Sequence, residues 1–121
     1  MIRLTALAAV VTALLLTGSA GAVMHPKLVG VVGKNDAFTI SLKFNGNRVK
    51  TLKANTYTVV IHDDSTIHDY RLSGPNGKLW RFTTEPFVGT KTFTVKLVPG
   101  KYNAFCKPHK SSMFQRFTVI N

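Results

Sequence analysis

The chain has 121 residues, a formal net charge of +11 from 16 Lys and Arg against 5 Asp and Glu, and a single cysteine, Cys106. One cysteine excludes a fold stapled by internal disulfides, and the length excludes more than one domain with its own core. The positive charge is scattered, with no Arg/Lys block and no basic helix. It therefore argues for a solvated basic surface and gives little support to a nucleic-acid reader.

The first predicted element is a secretory signal over residues 1–22, MIRLTALAAVVTALLLTGSAGA. Arg3 supplies a short positive start, and Leu4 to Leu16 form an apolar run of 13 residues, short of the ~20 that span a bilayer. Ala20 and Ala22 hold the small-residue positions that a signal peptidase reads. No cysteine stands near the cleavage region, so a lipid anchor is not expected there. Cleavage after Ala22 removes 22 of 121 residues and leaves 99, residues 23–121, as one domain carrying 15 Lys and Arg against 5 acidic residues, a charge of +10. That domain would begin Val23-Met24-His25. Its α-amine, two backbone amides and third-position imidazole form a nitrogen-rich square plane that Cu(II) accepts; the competing reading is an incidental histidine in a frayed terminus.

Strands follow in series. FTISLKF (38–44) alternates Phe38, Ile40, Leu42 and Phe44 with polar residues, and NTYTVVIHD (55–63) does the same with Tyr57, Val59 and Ile61. TKTFTVKLV (90–98) sets Phe93, Val95 and Leu97 against Thr94 and Lys96, and RFTVI (116–120) closes the chain. GKND, NGN, SGPNG and VPGK supply turn chemistry between them. Short strands at near-regular spacing with Gly, Pro and Asn punctuation predict an antiparallel all-β sandwich or barrel, and no segment carries a helical period.

The chemistry concentrates in YNAFCKPHKSSMF (102–114). A lone cysteine is by itself more often a buried, inert side chain than a ligand, but its neighbours alter that weighting. Alternation puts Tyr102, Ala104 and Cys106 on one face of a strand that ends at the cysteine. Pro108 holds Lys107 extended, so a defined loop brings His109 back toward the thiol, and Met113 lies on the same loop. Thiolate, imidazole and thioether within eight residues form a metal-ligand pattern that suits copper, since zinc rarely takes a thioether. A second imidazole must come from His25, His62 or His68. His62 falls opposite the core face of its strand and is expected on the surface. His68, in DDSTIHDYRLSGP just ahead of a further strand, is favoured by spacing.

DDSTIHDYRLSGPNG, VPGKYNAFCKPHKSSM and RFTVI together resemble the cupredoxins, the blue-copper family of plastocyanin and amicyanin, over nearly all of residues 30–121, including GNRVKTLKANTYTVVI ahead of the first histidine. The resemblance implies a Greek-key β-sandwich of about eight strands with one type 1 copper at its end. It implies His68, Cys106 and His109 as in-plane ligands and Met113 as a weak axial one. The Cys–His gap matches plastocyanin, and the His–Met gap falls between those of amicyanin and plastocyanin. Two positions depart from the family pattern: Asp69 stands where Asn usually follows the first histidine and ties the ligand loops together, and Gln115 stands where Gly is common.

A cupredoxin-like centre implies single-electron transfer without substrate chemistry at the metal, with the solvent edge of His109 as electron port. The same ligands would also serve a copper carrier or resistance protein. A Cys106–His109 hydrolase would require a third, orienting group and partners from distant parts of the chain, and a metal-free Ig-like adhesion domain would leave the ligand pattern without a purpose. Lys107, Lys110 and Arg116 around His109, with Phe114 in the same loop, imply an acidic redox protein or an anionic membrane surface as partner to a monomer.

Overall fold

The computed structural model describes residues 23–121; the signal-peptide expectation falls on residues outside it. Ten strands form two five-stranded sheets. The first sheet holds β1 (Lys27–Val32), β2 (Ile40–Phe44), β3 (Asn47–Arg48), β5 (Asn55–Asp63) and β8 (Gly89–Leu97), in the order β3-β2-β1-β5-β8. The second holds β4 (Thr51–Lys53), β6 (Arg71–Ser73), β7 (Leu79–Arg81), β9 (Gly100–Phe105) and β10 (Phe114–Ile120), in the order β4-β10-β9-β6-β7. Pairing is antiparallel except for β1 beside β5 and β4 beside β10. The count exceeds the expected eight; β3, β4, β6 and β7 are fragments of two or three residues, too short to show a period of their own. The described helical segments are 3₁₀ turns of three residues each, and none is long and apolar enough to cross a membrane.

Alternation decides which side chains fill the space between the sheets. From β5 come Tyr57, Val59 and Ile61, from β8 Val95 and Leu97, and from β9 Tyr102 and Ala104, all buried. Each valine, leucine or isoleucine among them contributes roughly 1.5–3 kcal/mol when fully covered. Asn45 and Gly46 link β2 to β3 with φ of 50° and 80°, the positive pair that a tight hairpin requires. Ahead of β9, the Tyr102 hydroxyl donates to the Val98 carbonyl at 2.7 Å and accepts its N–H at 3.0 Å, fixing the turn that launches the cysteine strand.

One expectation fails at the start of β2. Phe38 and Thr39 lie outside the strand, and Phe38 is 55% exposed rather than in the core. The preceding turn is the cause: Gly33, Asn35 and Asp36 all take positive φ, so the chain leaves β1 in a tight curl and regains extended pairing only at Ile40.

Register within the second sheet then brings two strand ends together. Arg71 on β6 faces Phe105 on β9, so the residues just before β6 lie beside those just after β9.

Candidate metal centre

His68 lies on the crossing from β5 to β6, a turn held by its own polar groups and by the end of β1. Asp64 N–H donates to the Val32 carbonyl at 3.0 Å, Ser65 N–H to Asp63 Oδ1 at 3.2 Å, and His68 N–H to the Ser65 carbonyl at 3.5 Å. Gly33 makes room for it. A Cβ built there would stand 2.6 Å from Ser65 Cβ and 2.9 Å from His68 Cδ2.

The other ligand candidates come from the β9–β10 loop, which is closed by backbone bonds within itself. Cys106 N–H donates to the Met113 carbonyl at 3.1 Å, His109 N–H to the Cys106 carbonyl at 3.2 Å, and Met113 N–H to the His109 carbonyl at 2.8 Å. Lys107 opens a 3₁₀ turn through His109 rather than staying extended, and Pro108 is its second residue, where its missing N–H costs nothing. Cys106 and Met113 are buried, and His109 is half-buried.

Three donor atoms converge. His68 Nδ1 and His109 Nδ1 are 3.1 Å apart, and Cys106 Sγ lies 3.8 Å from the first and 3.7 Å from the second. A point equidistant from the three would lie about 2.1 Å from each, against ~2.0–2.1 Å for zinc–nitrogen and ~2.3 Å for zinc–sulfur bonds. The triangle fits a single ion without rearrangement. Burial pushes the Cys106 thiol up, while the Asp69 N–H directed at its sulfur from 3.5 Å pulls it back. A metal that takes this sulfur as thiolate therefore displaces a proton.

Asp69 supplies the link expected of the family's Asn. Its Oδ1 accepts the Lys107 N–H at 2.7 Å, and its Oδ2 accepts from Arg71 Nε at 3.0 Å in a nearly buried ion pair. Arg71 was not singled out from the sequence. The available signal was its place two residues beyond Asp69 on an extended segment, where side chains share a face.

Phe38, unlike Arg71, was read from the sequence but misplaced. Its ring meets the His68 imidazole edge-on with centroids 4.9 Å apart, and the His109 imidazole in the same way at 4.7 Å. The expected solvent edge of His109 is thus flanked by an exposed phenyl ring. His62 lies apart from the cluster, half-buried and bonded to Thr90 Oγ1 at 3.0 Å, in keeping with a surface role. His25 also lies apart from it.

The fold matches solved structures of rusticyanin. The reduced form aligns with a TM-score of 0.57 at 16% identity, over 78% of this chain and 78% of that one. A structure described as the copper protein rusticyanin aligns at 0.56 and 15%, over 78% and 76%, and rusticyanin from Thiobacillus ferrooxidans at 0.52 and 17%, over 78% and 76%. This chain has the cupredoxin fold. No protein-family model and no curated protein matches the sequence. Within the cupredoxin fold, His68, Cys106, His109 and Met113 form the pattern of a type 1 copper site: two imidazoles and a thiol already in a triangle, with a buried methionine seven residues after the cysteine.

Proposed function

We propose that this protein is an exported blue-copper electron carrier. The observation that carries the reading is the triangle of Nδ1, Sγ and Nδ1, whose centre stands at metal-bonding distance from all three atoms. The imidazoles of His68 and His109, the Cys106 thiolate and the Met113 thioether would hold the ion, a donor set that favours copper over zinc. Bound copper would supply a one-electron Cu(II)/Cu(I) couple. The chain's own part is to hold ligands from two separate connections so firmly that neither oxidation state rearranges them. The Asp69–Lys107 bond and the closed Cys106–Met113 loop serve that rigidity.

The docking face in this reading surrounds His109. Phe38, Ile67 and Phe114 are exposed apolar side chains carried by the ligand loops and the adjoining turn. Basic groups lie over two rings of the adjoining strands. Lys110 Nζ lies 4.9 Å from the Phe105 ring centre, and the Arg116 guanidinium lies 4.7 Å from that of Phe114. An apolar patch with a cationic rim, on a molecule of charge +10 once residues 1–22 are removed, suits an acidic redox protein or an anionic membrane surface. Residues 1–22 would direct the chain to the periplasm or the exterior.

The test is the absorption spectrum of the purified protein after addition of Cu(II). An intense visible thiolate-to-copper band is expected in the wild type and should vanish in Cys106→Ser, which should stay folded because the core supplies most of the stability. A colourless wild type, or a fully coloured serine variant, overturns the assignment. Reversible voltammetry without loss of metal separates an electron carrier from a copper carrier, which must release its ion to a partner.

A further inference from the structure

The inward-facing series that closes the chain runs Met113, Gln115, Phe117, Val119, and all four are buried. Only Gln115 is polar. An amide at such a place costs ~1–3 kcal/mol unless its hydrogen bonds are replaced, and here three are. Its Oε1 accepts the Leu42 N–H at 2.9 Å, and its Nε2 donates to the Leu42 carbonyl at 2.9 Å and to the Val49 carbonyl at 3.0 Å. Both amide hydrogens are used.

The partners give these bonds their meaning. Gln115 belongs to β10 in the second sheet, and Leu42 to β2 in the first. The side chain exchanges an N–H and a C=O with one residue, as a neighbouring strand would, but across the sandwich. Val49 lies between β3 and β4, where the chain leaves the first sheet for the second. One amide therefore joins three segments, one inward position beyond Met113. The glycine that cupredoxins commonly carry there could make none of these bonds.

We propose that Gln115 is a positioning residue for the metal centre. It locks the exit of the Cys106–Met113 loop to the opposite sheet and so fixes the place of Met113 at the end of the loop that carries Cys106 and His109. Because the Met113 backbone is bonded to both Cys106 and His109, a shift at Met113 is passed to two residues that would hold the ion. This rests on the copper reading above. Residues that orient ligands from outside the coordination sphere typically change metal affinity ten- to a hundred-fold.

The test compares the wild type with Gln115→Met, which keeps the side chain's length and removes all three bonds, and with Phe117→Leu, one inward position farther from the loop. Three quantities are measured: Cu(II) affinity by chelator competition, the thiolate-to-copper band, and urea stability of the metal-free protein. Gln115→Met should weaken Cu(II) binding about ten- to a hundred-fold and shift the band. Phe117→Leu should lower stability and leave affinity and band unchanged. Should Gln115→Met not fold, Gln115→Asn, with an amide one methylene too short, carries the same expectations. A wild type without the band overturns the copper reading itself. A wild type with the band, beside a Gln115 variant of unchanged band and affinity, overturns the positioning role whatever its stability.

Discussion

Asp69 Oδ1 accepts the backbone N–H of Lys107 at 2.7 Å, while the Asp69 N–H points at Cys106 Sγ from 3.5 Å. One residue thus binds both to the cysteine's sulfur and to the backbone of the cysteine's successor, and it joins the histidine crossing to the cysteine loop. What distinguishes it from an amide is charge, and Arg71 at 3.0 Å answers that charge.

The reduction potential should follow this pair. Asp69→Asn keeps the acceptor for Lys107 and removes a negative charge that favours Cu(II), so the potential should rise. The full effect of a desolvated carboxylate is about 1–2 kcal/mol, and Arg71 already offsets part of it. Arg71→Gln should act in the opposite direction by leaving the carboxylate uncompensated. Voltammetry on the two variants checks the signs; a fall with Asp69→Asn would show that lost loop geometry outweighs lost charge.

Gly33→Ala should damage the site without touching a ligand. The residue has φ +70°, and a Cβ would press on Ser65 Cβ at 2.6 Å and His68 Cδ2 at 2.9 Å. The backbone conformation alone costs roughly 1–3 kcal/mol for a non-glycine residue, and relief of the overlap moves His68. Urea unfolding of the metal-free protein should show the loss in stability, and Cu(II) titration a weaker site. Wild-type affinity in this variant would mean that the turn yields while the imidazole stays.

Asp63 makes stability depend on pH. It is buried, its Oδ2 has no hydrogen bond, and burial raises its pKa against the opposing pull of the nearby Thr83 hydroxyl. The folded protein thus holds this proton more tightly than the unfolded chain does. The resulting stabilisation is fully present below the unfolded value of ~3.9 and is lost as pH rises through the folded one. Asp63→Asn retains an acceptor for the Ser65 N–H, now at 3.2 Å, and removes the charge. It should therefore be more stable than wild type at pH 7, with the advantage fading toward pH 3. Urea midpoints across that range decide the matter, and a less stable variant at pH 7 would count against the burial argument.

Electron transfer with a small acidic redox protein should quicken at low ionic strength, where steering adds about ten- to a thousand-fold to association. The double change of Lys107 and Lys110 to Glu should abolish most of the salt dependence. Phe38→Ala should slow transfer at every ionic strength by removing apolar contact at the imidazoles. Stopped-flow rates that ignore both salt and the charge reversal would place the docking face elsewhere.

Much of this was legible in the residues. Tyr57, Val59 and Ile61 announce β5 because period-two burial is a local property, and Cys106, His109 and Met113 announce a site because they share one loop. Phe38 was not legible. It keeps the same phase as Ile40 and Leu42, and only the positive φ values at Gly33, Asn35 and Asp36 turn it out of the core. Gln115 was visible as a departure from the family pattern, but its partners, Leu42 and Val49, lie 73 and 66 residues away. Arg71 escaped notice for a similar reason: alternation says which face a side chain shares, and not whether a carboxylate there lacks a cation.

Chain distance also orders how the centre comes into being. Cys106 and His109 are separated by three positions, whereas Cys106 and His68 are separated by 38. Closing the shorter span is cheaper in entropy and faster, since the cost grows with the logarithm of loop length. A chain not yet folded can thus present thiol, imidazole and thioether from one hairpin before His68 arrives. A soft cation captured at that stage would meet three donors first, and its fourth only when β6 pairs with β9.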